Sequence, residues 1–328
     1  MSAATPRSER SIEWIAHAPV ALFAIVMGLS GLGLVWRKAH EVFGYSALIG
    51  EVIVGFSILC FIILSILYLV KFCVFKEFVF DEFLHPVQVN FFPSITISLL
   101  LISAVILPYD AVASENIWLI SAAAHLGLSI IIINRWITHN FEIKHSNPSW
   151  FIPVVGNITV PLAGAQLGYV EISWFFFSIG LVFWVILFTI MMYRIIFHDQ
   201  LPKKFLPTLF ILMAPPGIGF NVYLFLNGGE LDLLARLLFF TGLFILLLLF
   251  SMMKLFIKIP FSVSWWAYTF PSAAMAIAAL RYHELIHTSG SMIMAIGIML
   301  IATTLILLVT WCTVRAIFKG QLFILATD

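Results

Sequence analysis

The residues of this chain best equipped for chemistry lie near its C-terminal end, where His283-Glu284-Leu285-Ile286-His287 spells H-E-x-x-H. On a helix that spacing sets two imidazoles on one face, where they could bind zinc with the glutamate as the general base of a membrane protease. The pattern falls in the connection after the ninth apolar segment, and no Asp, Glu or His follows it before Asp328 to supply a third ligand. Short patterns of this kind recur by chance. The better reading is a loop with solvated side chains. No metal, nucleotide or organic cofactor is implied, and no enzymatic activity is expected.

His125 is the other titratable group in an unusual place, in the middle of the fourth apolar segment. Its ordinary pKa near neutrality would let it couple protons; the plainer role is a hydrogen bond to an adjacent helix. Glu51 and Arg236 lie near segment ends, where charged side chains snorkel to the interface. Asn157-Ile158-Thr159 matches a glycosylation sequon but lies inside an apolar segment. Cys60, Cys73 and Cys312 have no metal-ligand spacing and read as small apolar residues.

The elements that must position these residues are membrane helices. Hydrophobic residues are 62% of the 328 and charged residues 10%, with net charge +1, against about a quarter charged in soluble domains. Mean hydropathy is +1.09. No basic run points to nucleic acid; the partner is the lipid bilayer. A crossing helix needs about 20 apolar residues. Ten such segments are expected, at 17–36, 46–70, 86–108, 116–134, 149–170, 173–193, 205–227, 234–253, 261–280 and 290–314. Short connections make residues 1–328 one transmembrane domain of an all-α, polytopic protein. Arg7 and Arg10 precede the first segment, which lacks a clear cleavage site and reads as a retained helix.

The odd-numbered segments each contain proline: Pro19, Pro93, Pro161, the pair Pro215-Pro216, and Pro271. Proline removes a donor and kinks a helix. The freed carbonyl then needs a protein or water partner, which favours the protein interior over lipid. Five kinked inner helices alternating with five plainer outer ones predict five helical hairpins around a central pathway. The prolines are 74, 68, 54 and 56 residues apart, about the length of a hairpin that crosses and returns.

Across their apolar cores the odd segments hold no Asp, Glu, Lys or Arg, while neutral groups such as Asn157, Thr159, Asn221 and Ser264 recur. Cation pathways carry carboxylates, and proton-coupled carriers an ionisable relay. Neutral hydroxyls and amides could solvate a small anion weakly, as rapid conduction requires. Equally, such groups pack membrane helices together. Of the 17 Lys and Arg, only Arg37, Lys38, Arg236 and Arg281 fall on one side of the expected topology. The positive-inside rule therefore places both termini in the cytoplasm of a cell whose plasma membrane holds the chain. Trp36, Trp118, Trp136, Trp150, Trp174 and Trp311 fall near segment ends, as an interfacial belt would.

In the ninth segment, Trp265-Trp266-Ala267-Tyr268-Thr269-Phe270-Pro271 resembles the signature of the tellurite-resistance/dicarboxylate transporter family. Bacterial TehA, the plant guard-cell slow anion channels, and fungal malate and sulfite transporters belong to that family. Pro86-Val87-Gln88, Asn147-Pro148-Ser149-Trp150, Ala214-Pro215 and Lys319-Gly320-Gln321 add lesser similarities, so the resemblance covers essentially the whole chain. It implies five hairpins around a central pore, a phenylalanine plug matching Phe270, and a homotrimer with one pore per subunit. The expected function is a passive, gated channel for small monovalent anions such as chloride or nitrate, its wall shaped by Pro19, Pro93, Pro161, Pro215 and Pro271. The alternative is an alternating-access carrier for dicarboxylate, sulfite or tellurite-like oxyanions, proton-coupled through His125.

Overall fold

Proline and glycine decide where this apolar chain can and cannot run as continuous helix. A computed structural model describes residues 13–320, leaving Arg7, Arg10 and Gln321 outside the described residues. All regular structure among those residues is helical. The main α-helices are α1 (Ala24–Phe43), α2 (Ala47–Val74), α3 (Lys76–Leu84), α4 (Pro93–Ile106), α5 (Ala111–Thr138), α6 (Val170–Phe197), α7 (Ala214–Leu226), α8 (Leu233–Ser251), α9 (Thr269–Ile286) and α10 (Ser289–Phe318).

The even-numbered segments of the sequence become α2, α5, α6, α8 and α10, uninterrupted and rich in Leu, Ile, Val and Phe. Three begin at capped ends: Asp110 and Asp232 accept from the amides of Ala113 and Ala235, and Thr288 forms a capping box with Ser291. Such caps satisfy amides that no helical carbonyl can reach.

Each odd-numbered segment instead starts as a 3-10 stretch and continues as an α-helix. Val20–Phe23 leads into α1, Gln88–Phe91 into α4, Lys203–Met213 into α7 and Val263–Tyr268 into α9. The fifth is the most broken, with Gly156–Thr159 between the short helices Phe151–Val155 and Pro161–Gly164. The prolines stand at these junctions. Pro93 and Pro161 open their helices, Pro215 and Pro271 lie in the first turn, and Pro19 precedes its 3-10 stretch. A first-turn proline sacrifices no helical hydrogen bond, because that amide has no partner anyway. The prolines therefore mark where α-helix begins.

Among the described residues, eight helical stretches are long and apolar enough to cross a membrane. The expected spans 149–170 and 261–280 are not among them. The first is cut into pieces of five residues or fewer; the second is diluted by Ser264, Thr269 and Ser272 and ends in Arg281, His283 and Glu284.

Packing separates two layers. α1 lies against α4 and α9, α4 against Pro161–Gly164, that broken segment against α7, and α7 against α9, which closes a ring of five. α2 covers α1, α5 covers α4, α6 the broken segment, α8 α7, and α10 α9. In the apolar windows of the first, third and seventh segments 67%, 72% and 89% of residues are buried, against 17–39% in the outer helices. Small residues let the inner helices touch: a Cβ on Gly217 would lie 3.0 Å from the Met275 sulfur.

Candidate functional site: two cavities divided by Phe270

Within the ring lie two cavities, of about 230 Å³ and 380 Å³. Every ring member contributes to the first, through Met27, Ser94, Val155, Pro215 and Ala267 among others. Every member contributes again to the second, through Gly31, Leu101, Leu162, Asn221 and Ala274. Phe270 and Ile218 line both. Phe270 is 9% exposed, and its ring is the large side chain between the two spaces.

The local sequence explains how that ring is held. Phe270 and Pro271 sit in the first turn of α9, where Pro271 has no amide to return to the preceding stretch. Hydroxyls take over part of that bonding: Thr269 donates to the Trp266 carbonyl at 2.7 Å and Ser272 to that of Tyr268 at 2.7 Å. Across the ring stands Gly31, where a Cβ would lie 3.4 Å from the Phe270 Cδ2 and 2.9 Å from the Ala273 Cβ. The missing side chain is the space the phenyl ring uses. Most buried aromatics here pack on other rings, as Phe210 does on Phe256 and Tyr268. Among the described residues Phe270 has no ring partner.

Of the expected polar lining, Thr159 and Ser264 reach the first cavity and Asn221 the second. Asn157 lines neither: its amide donates to Ser129 at 3.1 Å and to the Val154 carbonyl at 2.6 Å. Pro19, Pro215 and Pro271 line the first cavity, whereas Pro93 and Pro161 line neither. The hydroxyls serve the backbone more than the cavity. Ser94, Thr159 and Thr208 donate to carbonyls three residues earlier at 2.5, 2.7 and 2.6 Å. Asn221 likewise donates to Gly217 and Ala274, tying α7 to α9. The surface that remains facing the first cavity is largely apolar.

The H-E-x-x-H stretch is not a loop. His283, Glu284 and Ile286 end α9, and His287 caps it in the left-handed region at φ 53°. The extra turn forms because α9 runs past the apolar window into its C-cap. His283 meets the Ser291 hydroxyl at 2.8 Å and stacks on Phe43, while Glu284 pairs with Lys38 at 2.7 Å. No three His, Cys, Asp or Glu side chains converge to hold a metal among the described residues. His125 is fully buried, its Nδ1 2.8 Å from the Thr96 hydroxyl on α4. The same hydroxyl lies 2.9 Å from the Pro93 carbonyl, and the His125 Nε2 is buried without a hydrogen-bond partner among the described residues. Glu51 takes Arg37 with both oxygens, at 2.9 and 2.8 Å.

One charged cluster escaped the sequence. Lys71 and Glu82 form a buried pair at 2.8 Å, with side chains 3% and 5% exposed. Glu82 also accepts from the Val20 amide at 2.6 Å and the Tyr68 hydroxyl at 3.0 Å, and Lys71 donates to the Ala18 carbonyl at 2.8 Å. These bonds seat the chain on both sides of Pro19. The available signal was a lysine inside the apolar run Ile66-Leu67-Tyr68-Leu69-Val70-Lys71-Phe72. The partner came from α3, a short helix the apolar pattern does not reveal.

The sequence pattern of the family described as voltage-dependent anion channel matches residues 17–314. S-type anion channel SLAH2 of Arabidopsis thaliana is 29% identical over 319 residues, 94% of this chain and 61% of that protein. Guard cell S-type anion channel SLAC1 of the same plant is 27% identical over 327 residues, 95% and 58% respectively. The tellurite resistance protein TehA homolog of Haemophilus influenzae is 26% identical over 310 residues, 93% of each chain. The chain thus spans about three-fifths of the plant proteins' length. The two plant relatives are named as anion channels. From His17 ahead of the first junction to Val314 on the last outer helix the match runs through all five members of the ring, and the chain belongs to the voltage-dependent anion channel family.

Proposed function

We propose that this chain is a passive, gated channel for small monovalent anions of the chloride and nitrate kind, closed by the Phe270 ring. The observation that carries the reading is that Phe270 lies in the wall of both cavities, each lined by all five ring members. An apolar constriction blocks ions by excluding the water that solvates them. In this reading residues 1–328 form one transmembrane domain of ten helices in five hairpins, the broken fifth and the polar ninth segments crossing inside the ring, where no lipid touches them. Backbone that leaves α-helical geometry is tolerated at membrane depth only where protein or a water-filled cavity surrounds it. The chain sits in the plasma membrane with both termini cytoplasmic and assembles as a homotrimer with one pore per subunit. Pro19, Pro215 and Pro271 shape the pore wall directly; Pro93 and Pro161 act by setting where their helices start. Thr159, Ser264 and Asn221 supply its few polar atoms.

The test is electrical. Currents from the native chain and from Phe270→Ala are recorded under a chloride gradient, with nitrate or malate then substituted. A large current in the variant that reverses near the chloride potential supports the reading. Silence in both, with saturable uptake of malate or sulfite into vesicles, would identify an alternating-access carrier and leave Phe270 a packing residue.

A further inference from the structure

The second cavity holds a cation that makes no ion pair among the described residues, Glu284 and Glu41 acting on it only at a distance. Arg37, Lys38 and Arg281 line the cavity, as does the carboxylate Glu41. Arg37 is engaged by both Glu51 oxygens and by the Val105 carbonyl at 2.6 Å. Lys38 is held between Glu41 at 2.9 Å and Glu284 at 2.7 Å. Arg281 has no ion pair and no hydrogen bond among the described residues, and its Nε is buried without a partner. Its one recorded contact is the Phe225 ring, 4.0 Å from the guanidinium carbon. A guanidinium laid against an aromatic ring is oriented by it and keeps its N–H donors for something else.

Charge placement favours an anion as that something. The carboxylates Glu41 and Glu284 are 60% and 43% exposed, whereas the Arg37 and Lys38 side chains are 13% and 11% exposed. These carboxylates are the more exposed and the more screened, although Glu41 also lines the cavity, while the cations they pair with stand against lower-dielectric walls. A buried donor left unmade is costly, and arginine stays charged under any working condition. The hydroxyls near the first cavity donate to backbone carbonyls, which leaves the attraction for an anion to come from this end.

We propose that Arg281 is an anion-capture site: its guanidinium, steadied on Phe225, binds one small monovalent anion in the second cavity and delivers it to Phe270. The site rests on the channel reading for its purpose, but its binding can be measured without conduction. The first measurement is the melting temperature of the purified full chain as gluconate is replaced by nitrate at constant ionic strength. The native chain is expected to gain stability with nitrate, Arg281→Gln to lose that dependence, and Arg281→Lys to keep part of it. Melting without nitrate checks that each variant folds. The second compares conductance of Phe270→Ala with that of Phe270→Ala/Arg281→Gln. The loss should be roughly tenfold at low salt, the lower end of the range for electrostatic steering. It should vanish near 1 M, where the Debye length falls from about 30 Å at 0.01 M to about 3 Å. Nitrate stabilisation that is absent from the native chain or survives Arg281→Gln overturns the site, as does an unchanged low-salt conductance. If Phe270→Ala passes no current, the channel reading falls and the nitrate measurement alone decides the site.

Discussion

Phe270 occupies a position where an aromatic ring is confined but not locked. It is nearly buried, faces the glycine at position 31, and has no ring partner among the described residues to hold its plane. Truncation to alanine should raise anion conductance by roughly tenfold or more, since each 1.4 kcal/mol taken off a barrier is worth a factor of ten. Phe270→Leu should conduct less than Phe270→Ala, because the block is apolar volume rather than aromaticity. Single-channel recording in both variants separates these outcomes from a packing role, which would give misfolding and no current. Gly31 offers the converse experiment. A methyl group there would stand 2.9 Å from the Ala273 Cβ, closer than real Cβ atoms approach. Gly31→Ala should cost about 1–3 kcal/mol through overpacking, read as a lowered melting temperature. Sequence pattern pointed to Phe270 through one local motif, yet it could not say that Gly31 stands opposite: the two are brought together only by α1 packing on α9.

At the scale of the element, the five junctions from 3-10 to α-helix are the feature that distinguishes inner from outer segments. Each needs its carbonyls satisfied from outside the helix, and serine and threonine do this work repeatedly. At Pro19 the Ala18 carbonyl accepts instead from Lys71, while Glu82 accepts from the Val20 amide. Glu82→Ala would strand Lys71 as an uncompensated buried charge, a loss of about 3–5 kcal/mol, whereas the paired change Lys71→Met/Glu82→Leu should recover most of it. Thermal unfolding of the three proteins in one detergent decides between an ion pair and a mere polar contact. The outer helices rely on ordinary caps. The Ala235 amide, and after it the Tyr223 hydroxyl, hold the Asp232 carboxyl below the usual carboxylate range. A lowered folded pKa stabilises above the unfolded value, about 3.9 for aspartate, and that contribution is lost as pH falls through the folded value. Asp232→Ala should therefore lower the melting temperature at neutral pH, with the gap from the native chain narrowing in acid. A gap that is constant across that range would mean the cap acts without its charge.

For the whole molecule, the closed ring is what turns ten apolar stretches into a candidate pathway. A trimer predicts a subunit count of three by native mass spectrometry. The topology predicts that a cysteine introduced at Ser289, beside the Arg281 end, is labelled by impermeant reagents from outside the cell, in a background with Cys60, Cys73 and Cys312 replaced. Labelling from the cytoplasmic side alone would invert the orientation. Composition and periodicity by themselves determined that this is a helical membrane protein, which stretches run uninterrupted, and where prolines divide the rest. These follow from short-range physics: apolar length, and the missing amide of proline. Tertiary structure alone decided which polar groups face a cavity. Asn157 turned to Ser129, Thr96 took up His125, Glu284 reached back to Lys38, and Arg281 was left without a hydrogen bond or ion pair among the described residues, against the Phe225 ring. The reason is physical. A polar group buried at membrane depth must be satisfied, its partner sits on another helix tens or hundreds of residues away, and the packing that brings the two together also determines which donor remains free.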